Sequence, residues 1–306
     1  MKVLVTGGAG FIGHHISLCL HDKGFDVVVV DNLSRALDKN VKLILEKGIK
    51  LIVDDIVDGK LFDYINIVKP DVVVHAAALT NVYESFKNPL LYHKVNATGT
   101  LRVLEASRRA GVKHFVYLSS ATVYGTPQYL PIDEKHPTQP TSPHGASKLA
   151  GEHYLKSYEA YSIKGTILRF FNVYGPRQNP LNAGVIYSFA KKLSRGEPIT
   201  IYGDGLQTRD FVHVDDVVKA VYKAIELGIE GVFNIASGRP TRILELARLM
   251  SEITGIPFKP VFLKPRYGDV RHSYADIRRA AEELKWKPKI SLEKGLMDLL
   301  DGFKEE

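Results

Sequence analysis

Val5-Thr6-Gly7-Gly8-Ala9-Gly10-Phe11-Ile12-Gly13 joins a short apolar run to an amphipathic one, and its glycines at 7, 10 and 13 follow the spacing G-x-x-G-x-x-G. Before it, Lys2–Thr6 has the pattern of a buried strand; after it, Ile12–Lys23 has helical periodicity. Such a turn needs unhindered backbone, and it brings amide donors at a helix N-terminus within reach of a diphosphate. The next β-branched run, Asp26–Val30, ends at Asp31, eighteen residues past Gly13. A carboxylate there can accept hydrogen bonds from the hydroxyls of an adenosine ribose and would repel a 2′-phosphate, so the residues point to NAD over NADP. A purely structural glycine turn is the competing reading, which the strand–turn–helix context and Asp31 disfavour. No G-K-[ST] follows, which argues against a P-loop.

Outward from this turn the chain alternates. Leu51–Val53, Asp71–His75, His114–Ser119 and Thr166–Phe171 repeat the apolar strand pattern, with helical stretches between them, notably Pro89–Ala110 and Ser147–Tyr161. Nearly all-apolar strands alternating with helices imply a parallel sheet covered on both faces: an α/β, doubly wound, Rossmann-like fold. After Asn172 the pattern loosens. Gly184–Arg195 and Val214–Leu227 read as helices, Ile199–Tyr202 as extended, and Gly231–Ala236 as a strand able to rejoin the sheet. Arg242–Gly255, Ala275–Leu284 and Leu292–Phe303 read as helices, linked through Pro257, Pro260 and Pro265. The expected division is a Rossmann domain over 1–171 and about 210–237, interwoven with a smaller substrate-binding lobe over about 172–209 and 238–306.

The 306 residues, 45% hydrophobic and 25% charged, suit a soluble globular chain and exclude a disordered, collagenous or disulfide-scaffold protein. One cysteine, Cys19, cannot form an internal disulfide, and no apolar run approaches a membrane span, so the chain reads as cytoplasmic. The net charge of +7 is scattered, not gathered in a stripe with aromatics, which argues against nucleic acid. It fits either a solvated surface or a pocket for a small polyanion. The histidines are dispersed and no metal-ligand set is expected.

The three-glycine turn, Asp31 and several later segments make the whole chain resemble the extended short-chain dehydrogenase/reductases of the nucleotide-sugar epimerase/dehydratase type, and among them the UDP-glucose (UDP-galactose) 4-epimerases. That resemblance implies an NAD site built from Gly7, Gly10, Phe11, Ile12, Gly13, Asp31, Asn32, Asp55, Ile56, Ala76, Ala77, Ala78, Asn96, Lys148 and Phe170. Ala76–Ala78 could equally be tight packing at a strand end. In Ser119-Ser120-Ala121-Thr122-Val123-Tyr124-Gly125, the resemblance implies that Ser120 binds the reacting sugar hydroxyl. The family's Y-x-x-x-K motif falls on Ser142-Pro143-His144-Gly145-Ala146-Ser147-Lys148, where Lys148 matches and the tyrosine position holds His144. In the family that tyrosine takes the proton of a sugar hydroxyl while hydride goes to NAD. Histidine has a suitable unperturbed pKa, yet positive surroundings oppose its charged form and it reaches less far than a phenol. Three readings stay open: His144 works as a substitute base, it cripples the enzyme, or another group such as Tyr124 serves.

Dehydratases of the family carry an Asp-Glu pair where this chain has Ala121-Thr122, and decarboxylating relatives tend to carry a glutamate there. With no acid to expel a hydroxyl, the resemblance implies epimerisation at C4 through a 4-keto sugar, with NAD regenerated each cycle. It also implies a UDP-sugar site from Thr122, Asn172, Val185, Thr200, Tyr202, Arg209, Arg266, Asp269 and Ser273, with Arg177 a further candidate. Guanidinium forks suit phosphate oxygens. Small Ser273 would admit N-acetylated sugars beside the glucose and galactose pair. In relatives, the helices at Pro89–Ala110 and Ser147–Tyr161 pair with their copies, so a homodimer is expected. The rivals are an epimerase of another sugar nucleotide, such as a UDP-uronic acid, and a non-catalytic binder of NAD and sugar nucleotide.

Overall fold

The computed structural model describes residues 1–180, 184–265 and 269–304. Its strands are β1 (Lys2–Thr6), β2 (Asp26–Asp31), β3 (Lys50–Val53), β4 (Val72–His75), β5 (His114–Ser120), β6 (Lys164–Phe170), β7 (Asn172–Tyr174), β8 (Thr200–Tyr202), β9 (Thr208–His213), β10 (Gly231–Ile235), β11 (Pro240–Arg242) and β12 (Val261–Leu263). The helices are α1 (Phe11–Asp22), α2 (Asp38–Glu46), α3 (Leu61–Val68), α4 (Val82–Lys87), α5 (Pro89–Tyr92), α6 (Gly99–Arg109), α7 (Pro143–Tyr158), α8 (Val185–Ser194), α9 (Val214–Leu227), α10 (Ile243–Thr254), α11 (Arg278–Glu282) and α12 (Leu292–Lys304).

Seven parallel strands form the central sheet in the order β10-β6-β5-β4-β1-β2-β3. The order reverses direction beside β1, which opens the crevice where doubly wound sheets bind ligands. One apolar face of the sheet packs on α1 and α9 through Ile16, Leu20, Val217 and Val221; the other packs on α3 and α6 through Leu61, Ile65, Val103 and Leu104. Both faces being covered is why the strands are apolar throughout, without alternation. A third core, around Phe189, Ile201, Leu246, Met250 and Leu296, lies in the C-terminal part of the chain. There β11, β9 and β7 form one small sheet, and β12 and β8 another.

The Rossmann-like reading holds, and β10 rejoins the sheet beside β6. Three elements differ from expectation. The helix expected over Pro89–Ala110 is interrupted by a π-helical turn at His93–Thr98, which swings Asn96 back to bond both backbone groups of Leu79. The helix expected at Ala275–Leu284 shrinks to α11, because the Ala275 amide donates to buried Asp210 and holds that backbone extended. Helix α7 begins four residues before its expected start, since Ser142 caps it by accepting from the Gly145 amide and Pro143 occupies its first turn.

Candidate active site

The turn after β1 is closed by contact. Gly7 has φ +68°, and a Cβ placed on it would lie 2.5 Å from the Ala77 nitrogen; one on Gly13 would lie 2.0 Å from the Gly7 carbonyl oxygen. The first-turn amides of α1, including those of Phe11 and Ile12, have no acceptor within the helix, so they remain for an anion. Asp31 is buried and accepts from the Ala9 amide (2.9 Å) and the Leu33 amide (2.8 Å). Burial raises its pKa, while those amides favour the carboxylate. Each oxygen keeps lone pairs for a ribose diol. The asparagine beside it, Asn32, donates to Asp55 at 2.6 Å, and Asp55 also accepts from the Val57 amide. Ile56 is buried, with its side chain packed beneath Gly99. Ala76–Ala78 lie along the turn, Ala76 donating to the Thr6 carbonyl. Phe170 is buried at the end of β6. A cradle that admits only glycine, a helix N-terminus and a terminal carboxylate together fit a dinucleotide.

At the same edge of the sheet, Ser120, Thr122 and His144 form a hydrogen-bonded series. The Thr122 hydroxyl donates to Ser120 Oγ at 2.9 Å and lies 3.2 Å from His144 Nδ1. With its proton given to Ser120, Thr122 accepts from His144 Nδ1–H, which leaves Nε2 with the free lone pair. His144 is buried against the edge of the Tyr92 ring. Burial, and then the charge of Lys148, lower its pKa to about 3. Lys148 is buried one helical turn on, its ammonium 4.1 Å from the centroid of the Tyr117 ring. Burial lowers its pKa to about 7 against the opposing pull of Glu152.

Below this series lies a buried knot that sequence reading missed. Glu152 accepts from Ser119 Oγ (2.5 Å) and from Arg169 Nε (3.0 Å) and Nη2 (2.6 Å). Arg169 in turn donates to the Tyr124 hydroxyl, which donates to Asn234. Tyr124 is therefore fully buried and committed to the scaffold, and burial raises its pKa. The structure removes it as a substitute base. Asn96 reaches Ser147 as well as Leu79, fixing α7 to the loop after β4.

A cavity of about 490 Å3 opens among Tyr202, Gln207, Phe262, Leu263, Asp269 and Arg271. Arg209 lies close to Asp269 and Tyr83; burial lowers its pKa, while Asp269 and Tyr83 oppose that. The Tyr83 hydroxyl donates to Asp269 at 2.6 Å across 186 positions, a contact that no local pattern announces. Asn172 donates to the Asp210 carbonyl, and Thr200 accepts from Lys192. Val185 opens α8, and Ser273 is half-buried beside β9, its amide donating to Thr208. Arg177 is exposed, with φ +63°. Arg266 lies outside the described residues. Among those residues no group of three or more His, Cys, Asp or Glu could hold a metal, and no helix is long and apolar enough to cross a membrane.

The model of the NAD dependent epimerase/dehydratase family matches residues 3–236. The chain belongs to that family. Its cofactor is NAD, and it is an enzyme of the epimerase class. The chain is 39% identical to the UDP-glucose 4-epimerase of Mycolicibacterium smegmatis, over 100% of its length and 99% of that protein's. It also matches the crystal structure of UDP-glucose 4-epimerase from Thermotoga maritima with UDP-glucose, at 40% identity and TM-score 0.94, covering 100% and 99% of the two chains. The UDP-N-acetylglucosamine 4-epimerase of Methanobrevibacter ruminantium, in complex with UDP-N-acetylmuramic acid, is similar at 35% identity and TM-score 0.94, covering 99% and 98%.

Proposed function

We propose that this epimerase interconverts the C4 epimers of a UDP-sugar through a 4-keto intermediate, and that His144 slows its proton step. The observation that carries this reading is the Ser120–Thr122–His144 series beside Lys148, at the sheet edge that also holds the glycine turn. Bound NAD supplies a reversible hydride acceptor for C4. Ser120 positions the reacting hydroxyl, Lys148 binds the nicotinamide ribose, and His144 Nε2 accepts the proton. Arg209 and Asn172 hold the diphosphate, while Thr200 and Tyr202 border the base; Val185, Thr122, Asp269 and Ser273 complete the sugar and ribose contacts. The dinucleotide is bound by Gly7, Gly10, Phe11, Ile12, Gly13, Asp31 and Asn32, with Asp55, Ile56, Ala76–Ala78, Asn96 and Phe170 shaping the walls. Burial and Lys148 both oppose an imidazolium, so the substituted base is thermodynamically poor. Ala121 and Thr122 offer no acid for dehydration.

The glucose and galactose pair is the preferred substrate of this reading, with the N-acetylated pair admitted beside it. A cytoplasmic homodimer is part of the same proposal: Phe86, Leu90 and Leu91 expose apolar surface near α7, with Leu90 83% exposed. A coupled assay on UDP-glucose, UDP-galactose, their N-acetylated counterparts and UDP-glucuronate tests it, with bound cofactor extracted and identified. Slow interconversion of the first four with NAD retained is the expected result. Turnover confined to the uronate would replace the substrate, and binding without any turnover, unrepaired in His144→Tyr, would leave a non-catalytic binder.

A further inference from the structure

Two side chains carried by segments on opposite flanks of β1 meet at the C-terminal edge of the sheet. Arg35 follows β2, and Glu84 lies in α4, which follows β4; their Nη2 and Oε1 are 2.6 Å apart. In the sheet β1 stands between β2 and β4, and all three run parallel, so their C-terminal ends share one edge. Any contact from the loop after β2 to the helix after β4 therefore spans the turn after β1, which is Gly7–Gly10. A dinucleotide running from Asp31 toward Lys148 along that edge must pass the same place.

Both ends of the span are held. Asn179 donates to the Arg35 carbonyl at 2.8 Å, and the Tyr92 hydroxyl donates to the second oxygen of Glu84 at 3.2 Å. The side chains of the pair are about three-quarters shielded, at 26% and 25% exposure. A pair both shielded and oriented in advance resists opening more than a freely solvated one. The charge of Arg35 is matched by that of Glu84. We propose that the Arg35–Glu84 pair is a latch across the cofactor channel that slows the escape of bound NAD. Retention of the cofactor then rests on this bridge as well as on Asp31 and the glycine turn. Release requires the pair to part, whereas chemistry at the Ser120–His144 end does not.

The test loads the full-length protein with NADH and follows the loss of its fluorescence on mixing with excess NAD. Arg35→Ala and Glu84→Gln are each expected to raise the dissociation rate on the order of tenfold, the worth of one charged hydrogen bond. The double variant should release no faster than either single one, because both remove the same bridge. Arg35→Lys, which keeps an ion pair, should restore slow release in part. Melting temperatures identify any variant that has lost its fold, and Glu84→Gln, nearly isosteric, keeps the test decisive if Arg35→Ala has done so. Single-variant rates within about twofold of wild type, or a double variant showing the product of the single effects, overturn the latch. Both outcomes leave NAD as the cofactor.

Discussion

Burial moves both His144 and Asp31 away from their ordinary acid–base state, His144 downward and Asp31 upward. Around His144 the low-dielectric pocket and the Lys148 ammonium act together against a bound proton. A phenol in its place would gain from that same positive field, because there it is the deprotonated form that carries charge. His144→Tyr is therefore expected to raise turnover by about 10²-fold or more, the usual worth of a fitted general base. Steady-state kinetics check this, and an already rapid wild type that slows in the variant would make His144 a competent base. Asp31 allows a second prediction. Its carboxylate is fixed by two backbone amides, so it cannot turn away from a 2′-phosphate placed beside it. Calorimetric titration of apo protein should show NAD binding well ahead of NADP; equal affinity would remove Asp31 from the ribose site.

At the scale of elements, what was legible in the sequence is what short-range pattern records. The glycine turn, the apolar strands and the His144–Lys148 spacing were readable because each depends on neighbours within one element. Glu152–Arg169, Arg35–Glu84 and Tyr83–Asp269 were not, because each joins segments distant in sequence whose meeting is decided by strand order. The π-turn at His93–Thr98 and the extended backbone at Ala275 escaped for the same reason: Leu79 and Asp210 impose them from outside. The Glu152–Arg169 pair ties α7 to β6 under the Ser120–Thr122–His144 series, with side chains only 1% and 4% exposed. Glu152→Ala would strand a buried guanidinium and should cost about 3–5 kcal/mol in urea unfolding, whereas the apolar pair Glu152→Leu with Arg169→Met should cost far less. Equal losses would show that packing, not the stranded charge, governs the site. The segment Arg271–Ser273 is likewise placed by β9, with the Thr208 amide donating to the Arg271 carbonyl and the Ser273 amide to that of Thr208. Ser273→Tyr should weaken binding of the N-acetylated UDP-sugars by about 1–3 kcal/mol through overpacking and spare the glucose and galactose pair. Unchanged affinities for both classes would take Ser273 out of the sugar pocket.

Across the whole molecule, one pH effect comes from histidines that the fold keeps neutral. His14, His75 and His144 are lowered to about 3 and His114 to about 4, in each case by burial first. The next contribution comes from His15 for His14, from Lys148 for His75 and His144, and from Lys164 for His114. In the unfolded chain each would titrate near 6.5. Above that pH both states are neutral and the four contribute nothing to the pH dependence. As pH falls below it, the unfolded state takes up protons that the folded state refuses, so stability declines until the folded values near 3–4 are reached. Each proton contributes at most about 1.4 kcal/mol per pH unit, so four approach about 5 kcal/mol per unit near pH 5. Asp31, Asp210 and Glu134 act oppositely, because burial raises their pKa values and their protonated forms are favoured in the fold. Starting from ordinary values near 4, they act mainly in the lower part of the range. The urea midpoint should therefore fall from pH 7 to about pH 5.5, and fall less steeply in His144→Tyr, which removes one of the four groups. A midpoint flat over that interval, or an unchanged slope in the variant, would mean that these side chains already carry protons in the folded protein, and the argument that His144 is a poor base would fall with it.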